Sequence, residues 1–194
     1  NVMTICVVAG MILAVSGVAS AGWQTGFVDQ GATFTNATDY YYPTVVKQGG
    51  AYHMWMQNHS ATDDVWYSTS ADGKTNWSAP VQCLEDSGAM VGWNTHPSVI
   101  DTGTAFRMYY TSSTARDIDV ATASYANPTS WTLTNENVIP AGHPWHYDSA
   151  ESHHVSQFYD AYVYKYDGHY EAFLQADYGL HYATSPDGIT GWTP

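Results

Sequence analysis

Short runs of β-branched and aromatic residues recur along this chain, each about five residues long and cut off by Gly, Asp or Asn turns. Tyr42-Pro43-Thr44-Val45-Val46 reads as a strand, Gln48-Gly49-Gly50 as a turn, and Tyr52-His53-Met54-Trp55-Met56 as a second strand. A third runs from Val65 to Thr69, and a fourth from Trp77 to about Leu84. The order returns 54 residues later, with His96-Pro97-Ser98-Val99-Ile100 matching Tyr42 to Val46 and Phe106 to Tyr110 matching Tyr52 to Met56. A third unit follows, with Asp160-Ala161-Tyr162-Val163-Tyr164, the turn Asp167-Gly168, then Tyr170 to Leu174 and Gly179 to Thr184. The turns repeat as well. Ser-x-Asp-Gly-x-Thr-x-Trp occurs at Ser70–Trp77 and at Ser185–Trp192, 115 residues apart, and a degenerate copy spans Ser124–Trp131.

A unit of about 50 residues with four short antiparallel strands describes a propeller blade, which must bury its apolar faces on its neighbours. The chain is therefore expected to be all-β: a β-propeller of about three four-stranded blades in an incomplete ring. The blades are placed at 42–88, 96–142 and, incomplete, 158–194. Residues 23–31 resemble the fourth strands and are expected to form an outer closing strand. On this reading the sequence is a piece of a larger ring. The repeated Trp77, Trp131 and Trp192 are expected to pack between blades, and Asp72 and Asp187 to form turns. His53, Arg107 and Glu171 share one strand position with unrelated chemistry, so that position is expected to be exposed.

Composition narrows the partners. The 194 residues include sixteen Tyr and eight Trp, and five Lys and Arg against eighteen Asp and Glu give a net charge of −13. Such a chain is a poor match for a phosphate backbone or an anionic membrane. Residues 1–21 carry no charge, are mostly apolar from Val7 to Val18, and end in Ala19-Ser20-Ala21. This predicts part of a secretory signal peptide and a secreted, periplasmic or cell-surface protein, with no membrane partner once the signal is cleaved. Cys83 would then be the one mature cysteine, which excludes an intrachain disulfide and a cysteine metal site. No metal and no cofactor is expected.

The pattern Pro-x-Val-Val/Ile, then Gly, then Tyr/Phe-x-Met-Trp/Tyr, then Tyr-x-Thr-Ser-x-Asp-Gly-x-x-x-Trp resembles the five-bladed propeller glycosidase superfamily, which holds arabinanases, β-xylosidases, levansucrases and invertases. The resemblance covers about residues 23–194. It implies carboxylates at the starts of the innermost strands, around the axis, because an oxocarbenium-like transition state needs a proton donor on one face of the bond and a carboxylate or water on the other. Tyr42, His96 and Asp160 occupy those starts; two of them depart from the acid that the family pattern implies. The candidate acids are Asp39, Glu151 and Asp160. Tyr42, His96, Trp145, His146 and Asp148 are candidate sugar contacts, with Trp145 offering an aromatic face to a pyranose. Glu151 and the last three contacts belong to the dense polar segment His143–His154, in the connection between the second and third units. The leading reading is a secreted glycosidase-like propeller acting on or binding poly- or oligosaccharides through an axial pocket. The alternatives are a non-catalytic glycan-binding or surface-interaction propeller and a sialidase-like protein. The last would need an arginine triad, of which Arg107 and Arg116 are the only members present.

Overall fold

The computed structural model describes residues 39–58, 64–84, 95–111, 117–139, 158–176 and 179–194. These all fall in one compact unit, Ala37–Pro194. The expected signal segment 1–21 and closing strand 23–31 lie outside them, as do Arg116 and the segment His143–His154.

Among the described residues, eleven strands form three antiparallel sheets, each in simple up-and-down order. The first holds β1 (Tyr40–Gln48), β2 (Ala51–Asn58), β3 (Val65–Ser70) and β4 (Val81–Leu84). The second holds β5 (Thr95–Asp101), β6 (Phe106–Thr111), β7 (Ile118–Ala123) and β8 (Thr132–Ile139). The third holds β9 (Phe158–Tyr166), β10 (His169–Ala176) and β11 (Gly179–Ser185). An isolated antiparallel bridge joins Thr184 of β11 to Thr193. The registers match across sheets: Thr44 pairs with Trp55, Ser98 with Tyr109 and Tyr162 with Phe173. No described helix is long and apolar enough to cross a membrane.

Burial follows position in the stack. In the middle sheet, β6 is buried on both faces, with Phe106 and Met108 to Thr111 buried and Arg107 half-buried. By contrast β10 alternates, with Tyr170, Ala172, Leu174 and Ala176 buried and Phe173 and Gln175 exposed. That is the difference between a sheet covered on two sides and one covered on a single side. Two apolar layers result. Trp55, Val65, Tyr67 and Leu84 meet Val99, Phe106, Met108, Tyr110 and Ala121 between the first two sheets. Ile100, Tyr109 and Val120 meet Val163, Tyr170, Ala172 and Leu174 between the second and third.

Polar links recur at the same repeat positions. The Val99 N–H donates to Thr44 Oγ1 at 3.2 Å, and the Val163 N–H donates to Ser98 Oγ at 2.9 Å. A small hydroxyl on one innermost strand thus satisfies an edge N–H on the next, which would otherwise remain unpaired. Farther out, Trp55 Nε1 donates to the Pro128 carbonyl at 3.2 Å, and Tyr109 Oη to the Gly188 carbonyl at 2.9 Å. The same two rings meet the turn tryptophans edge-on, Trp55 with Trp131 at 5.7 Å and Tyr109 with Trp192 at 6.3 Å. Both tryptophans therefore sit between sheets.

The two Asp-Gly turns are built alike. Ser70 Oγ donates to the Thr75 carbonyl at 2.6 Å and accepts from the Gly73 N–H at 3.1 Å. Asp72 Oδ1 accepts from the Lys74 and Thr75 N–H groups, each at 2.8 Å, and Thr75 Oγ1 donates to Asp72 Oδ2 at 2.6 Å. Ser185, Asp187 and Thr190 repeat every one of these bonds. Hydrogen bonds from Thr75, and from the Thr190 and Ile189 backbone, hold the two carboxyls well below the usual carboxylate range.

The expectation that His53, Arg107 and Glu171 share an exposed position is corrected. His53 is buried, bonded to Tyr67 Oη at 2.6 Å through Nδ1 and to the Gln48 carbonyl at 3.3 Å through Nε2. The half-buried Arg107 crosses to the third sheet, where Nη1 donates to the Asp187 carbonyl at 2.7 Å and the guanidinium lies over the Tyr170 ring. Glu171 is engaged within its own sheet by Tyr164 and His169. The shared position faces the next sheet, so its exposure depends on what covers it.

Candidate functional site

The starts of β1, β5 and β9 meet. Between them lies a cavity of about 590 Å3, lined by residues 42–45, 96–100 and 160–164. Each innermost strand contributes one consecutive stretch.

A β-bulge shapes each contribution. On β1 the pairing skips Tyr42-Pro43, and on β5 it skips His96-Pro97. Proline has no N–H for the ladder, so a bulge at Xaa-Pro costs the sheet least. Tyr42 and His96 take φ of +50° and +56°, a left-handed conformation uncommon for bulky residues. Strain of this kind costs on the order of 1–3 kcal/mol per residue and persists where the surroundings enforce it. In β9 the residue at the proline position is Ala161, which pairs regularly with Leu174. The irregularity there moves upstream, to Tyr159.

These backbones bring three side chains together. The Tyr42 and His96 rings lie 4.0 Å apart between centroids, tilted by 58°. His96 Nδ1 is 2.6 Å from Asp160 Oδ1 and also bonds the Tyr159 carbonyl. A carbonyl only accepts, so Nδ1 carries a proton, and in the neutral ring Nε2 is the acceptor. Thr111 Oγ1 donates to the same Tyr159 carbonyl at 2.9 Å. The His96 N–H points to Gln57 Oε1 at 3.4 Å, which ties the second sheet to the first at the cavity rim.

The other candidates fall elsewhere. Asp39 is exposed, immediately precedes β1, and is not part of the cavity lining. Glu151, Trp145, His146 and Asp148 lie outside the described residues. Arg107, one of the two arginines present toward the triad that a sialidase-like site would need, is engaged between the second and third sheets rather than in the cavity. Among the described residues no cluster of three or more His, Cys, Asp or Glu is placed to hold a metal ion. Cys83 donates to the Val65 carbonyl at 3.3 Å, and burial pushes its thiol up to about 12, far from a reactive thiolate. The reading from sequence missed Gln57, Thr111 and the Tyr159 carbonyl. It also missed Thr44 and Ser98, whose signal was present as a hydroxyl after each Pro.

No protein-family model matches the chain, and no curated protein matches it. Solved structures do. A family 117 glycoside hydrolase from the marine bacterium Zobellia galactanivorans superposes with a TM-score of 0.63 at 17% identity, over 80% of this chain and 55% of its own. An α-L-arabinofuranosidase from Podospora anserina gives 0.59 at 18% identity, over 79% and 49%. GH43B of the Bacteroides ovatus xyloglucan PUL gives 0.58 at 14% identity, over 80% and 28%. The fold is that of the β-propeller glycoside hydrolases. This chain spans about half the length of these structures, or less. At such identities the likeness concerns the propeller scaffold, and activity must be argued from the site.

Proposed function

We propose that this chain is the part of a secreted, carbohydrate-active propeller that carries one side of an axial sugar site, and that the site hydrolyses glycosidic bonds. The observation that carries the reading is the meeting of Tyr42, His96 and Asp160, from three different sheets, in one cavity. An aromatic ring, an imidazole and a carboxylate suit a sugar: the ring covers its apolar face, and the polar pair hydrogen-bonds hydroxyls. Asp160 is the carboxylate available for acid–base or electrostatic work at an anomeric carbon. Tyr42 and His96 are contacts that orient the ring. The names of the fold neighbours support the substrate class, so arabinofuranosyl-bearing polysaccharides and xyloglucan head the panel to be tried. Secretion is proposed on the apolar stretch before Ala19-Ser20-Ala21.

A specific observation favours a second reading. Tyr42 and His96 stand where catalytic carboxylates are expected, which suits a scaffold that binds glycans without cleaving them. One experiment separates the two. The chain is titrated with the panel, binding is read by calorimetry, and released reducing ends are counted for wild type and Asp160→Asn. Hydrolysis that falls at least about 100-fold in the variant, with binding retained, supports the enzyme. Binding without hydrolysis supports the second reading. If no glycan binds, both are wrong.

A further inference from the structure

The rim of the cavity is not held equally all round. Between the second and third sheets it is tied by His96 Nδ1 against Asp160 Oδ1 at 2.6 Å and by Thr111 Oγ1 donating to the Tyr159 carbonyl at 2.9 Å. Between the first and second sheets the His96 N–H reaches Gln57 Oε1 only at 3.4 Å. Beside this looser junction stands Tyr41.

Tyr41 is not part of the cavity lining, yet it matches Asp160 in register: Tyr41 pairs with Gln57 as Asp160 pairs with Gln175. Directly paired residues share a face of the sheet. Tyr41 therefore lies on the Gln57 side of the first sheet, the side that the second sheet covers through Thr44 and Trp55. Even so, Tyr41 is 44% exposed and Tyr42 51%. Their openness belongs to the rim and not to an uncovered sheet face. The Tyr41 and Tyr42 rings have centroids 6.4 Å apart and are tilted by 46°, side by side rather than stacked. With Tyr42 already 4.0 Å from His96, an aromatic path runs from Asp160 outward to Tyr41.

We propose that Tyr41 is an outer sugar subsite, on which a neutral oligosaccharide lays a further unit while another is held at Tyr42, His96 and Asp160. The inference rests on the reading of the cavity as a sugar site. A cavity of about 590 Å3 is of a size that encloses about one or two sugar rings, so the rest of a longer chain must leave past the rim. It leaves on the side of the looser junction. The C–H face of a sugar suits the electron-rich face of an aromatic ring, and a tyrosine hydroxyl at the rim stays in water. An acidic sugar finds no partner here, because the cavity lining holds no Lys or Arg and the chain carries −13.

The test is calorimetric titration of the 194-residue chain with arabino-oligosaccharides and xyloglucan oligosaccharides, from the free monosaccharide to about four backbone units. Wild-type affinity is expected to rise about 5- to 10-fold once the ligand is long enough to reach the rim, and then to level off. Tyr41→Ala should abolish that rise and leave monosaccharide affinity unchanged, which also shows that the variant folds. Tyr41→Phe and Tyr41→Trp should keep the rise, and Tyr42→Ala should weaken binding at every length. The wild-type length series stands by itself should Tyr41→Ala not fold. Affinity independent of length overturns the outer subsite and leaves the sugar site standing. So does a rise that survives Tyr41→Ala, which would send the chain out by another path. A loss in Tyr41→Ala shared equally by all lengths overturns it too, making Tyr41 a support for Tyr42. If neither series binds at any length, the subsite and the sugar reading fall together.

Discussion

Replacing Gly188 by Ala tests whether the Asp-Gly turn is a docking point between sheets or merely a local hairpin. Gly188 has φ +74°, and a Cβ there would sit 2.4 Å from Tyr109 Oη, 2.7 Å from Arg107 Nη1 and 2.7 Å from Tyr170 Cδ1. The Arg107 tip swings away easily. Tyr109 is fully buried and Tyr170 nearly so, and neither ring has room to retreat. The left-handed backbone costs an alanine about 1–2 kcal/mol. Forcing an atom into packed rings adds about 1–3 kcal/mol. Pushing Tyr109 off the Gly188 carbonyl removes a hydrogen bond worth about 1 kcal/mol. The sum is about 3–6 kcal/mol. Gly103 is the control: its φ is +92° and nothing lies within 4 Å of its Cβ position, so alanine there meets only the backbone cost of about 1–2 kcal/mol. At about 2–4 °C per kcal/mol for a unit of this size, Gly188→Ala should melt several degrees below Gly103→Ala. Thermal and urea unfolding of both variants measures the gap. Equal losses would refute the docking of this turn on the second sheet, and with it the packing that holds the third innermost strand at the cavity.

Two further outcomes are expected. Ser98→Ala removes the acceptor for the buried Val163 N–H and should cost about 1–3 kcal/mol in urea unfolding, while Ser98→Thr, which supplies the hydroxyl found at Thr44, should cost clearly less. Burial lowers the pKa of His53 from its ordinary 6.5, against the pull of the Gln48 carbonyl. The unfolded chain therefore binds the proton more readily, and stability should fall as pH drops below about 6.5. His53→Gln should flatten that slope in urea titrations between about pH 5 and 7.

The Asp-Gly turns were legible because their geometry demands particular atoms at fixed spacing. Ser70 and Ser185 must accept from the glycine N–H and donate five residues on, and Asp72 and Asp187 must gather two N–H groups and a threonine hydroxyl. Few other residue types satisfy that geometry, so the chemistry is written into the letters. Strand positions were legible for a similar reason, since β-branched and aromatic runs between such turns have one economical arrangement. The fate of His53, Arg107 and Glu171 was not legible. Their position along the strand is equivalent, but burial depends on whether a neighbouring sheet covers it, and that is a property of the assembly rather than of the strand.

The site was legible in a narrower sense. In a repeat, positions that serve packing keep their chemistry: Trp55 and Tyr109 donate to the next turn, and Thr44 and Ser98 accept from the next strand. Tyr42, His96 and Asp160 do not keep theirs. Divergence alone decides little, because His53, Arg107 and Glu171 diverge equally and end in three unrelated contacts. What separates the two sets is convergence. The first three side chains meet in one cavity, two of them from strained backbone that the prolines and hydroxyl links hold in place. No single strand's sequence reveals that, because the left-handed turn at Tyr42 and His96 exists only where a proline interrupts the ladder, and the shift at Tyr159 only where Ala161 does not. A backbone held under strain on two neighbouring strands, bringing unlike side chains into the cavity that Asp160 also lines, is a costly way to pack a core and an effective way to build a site.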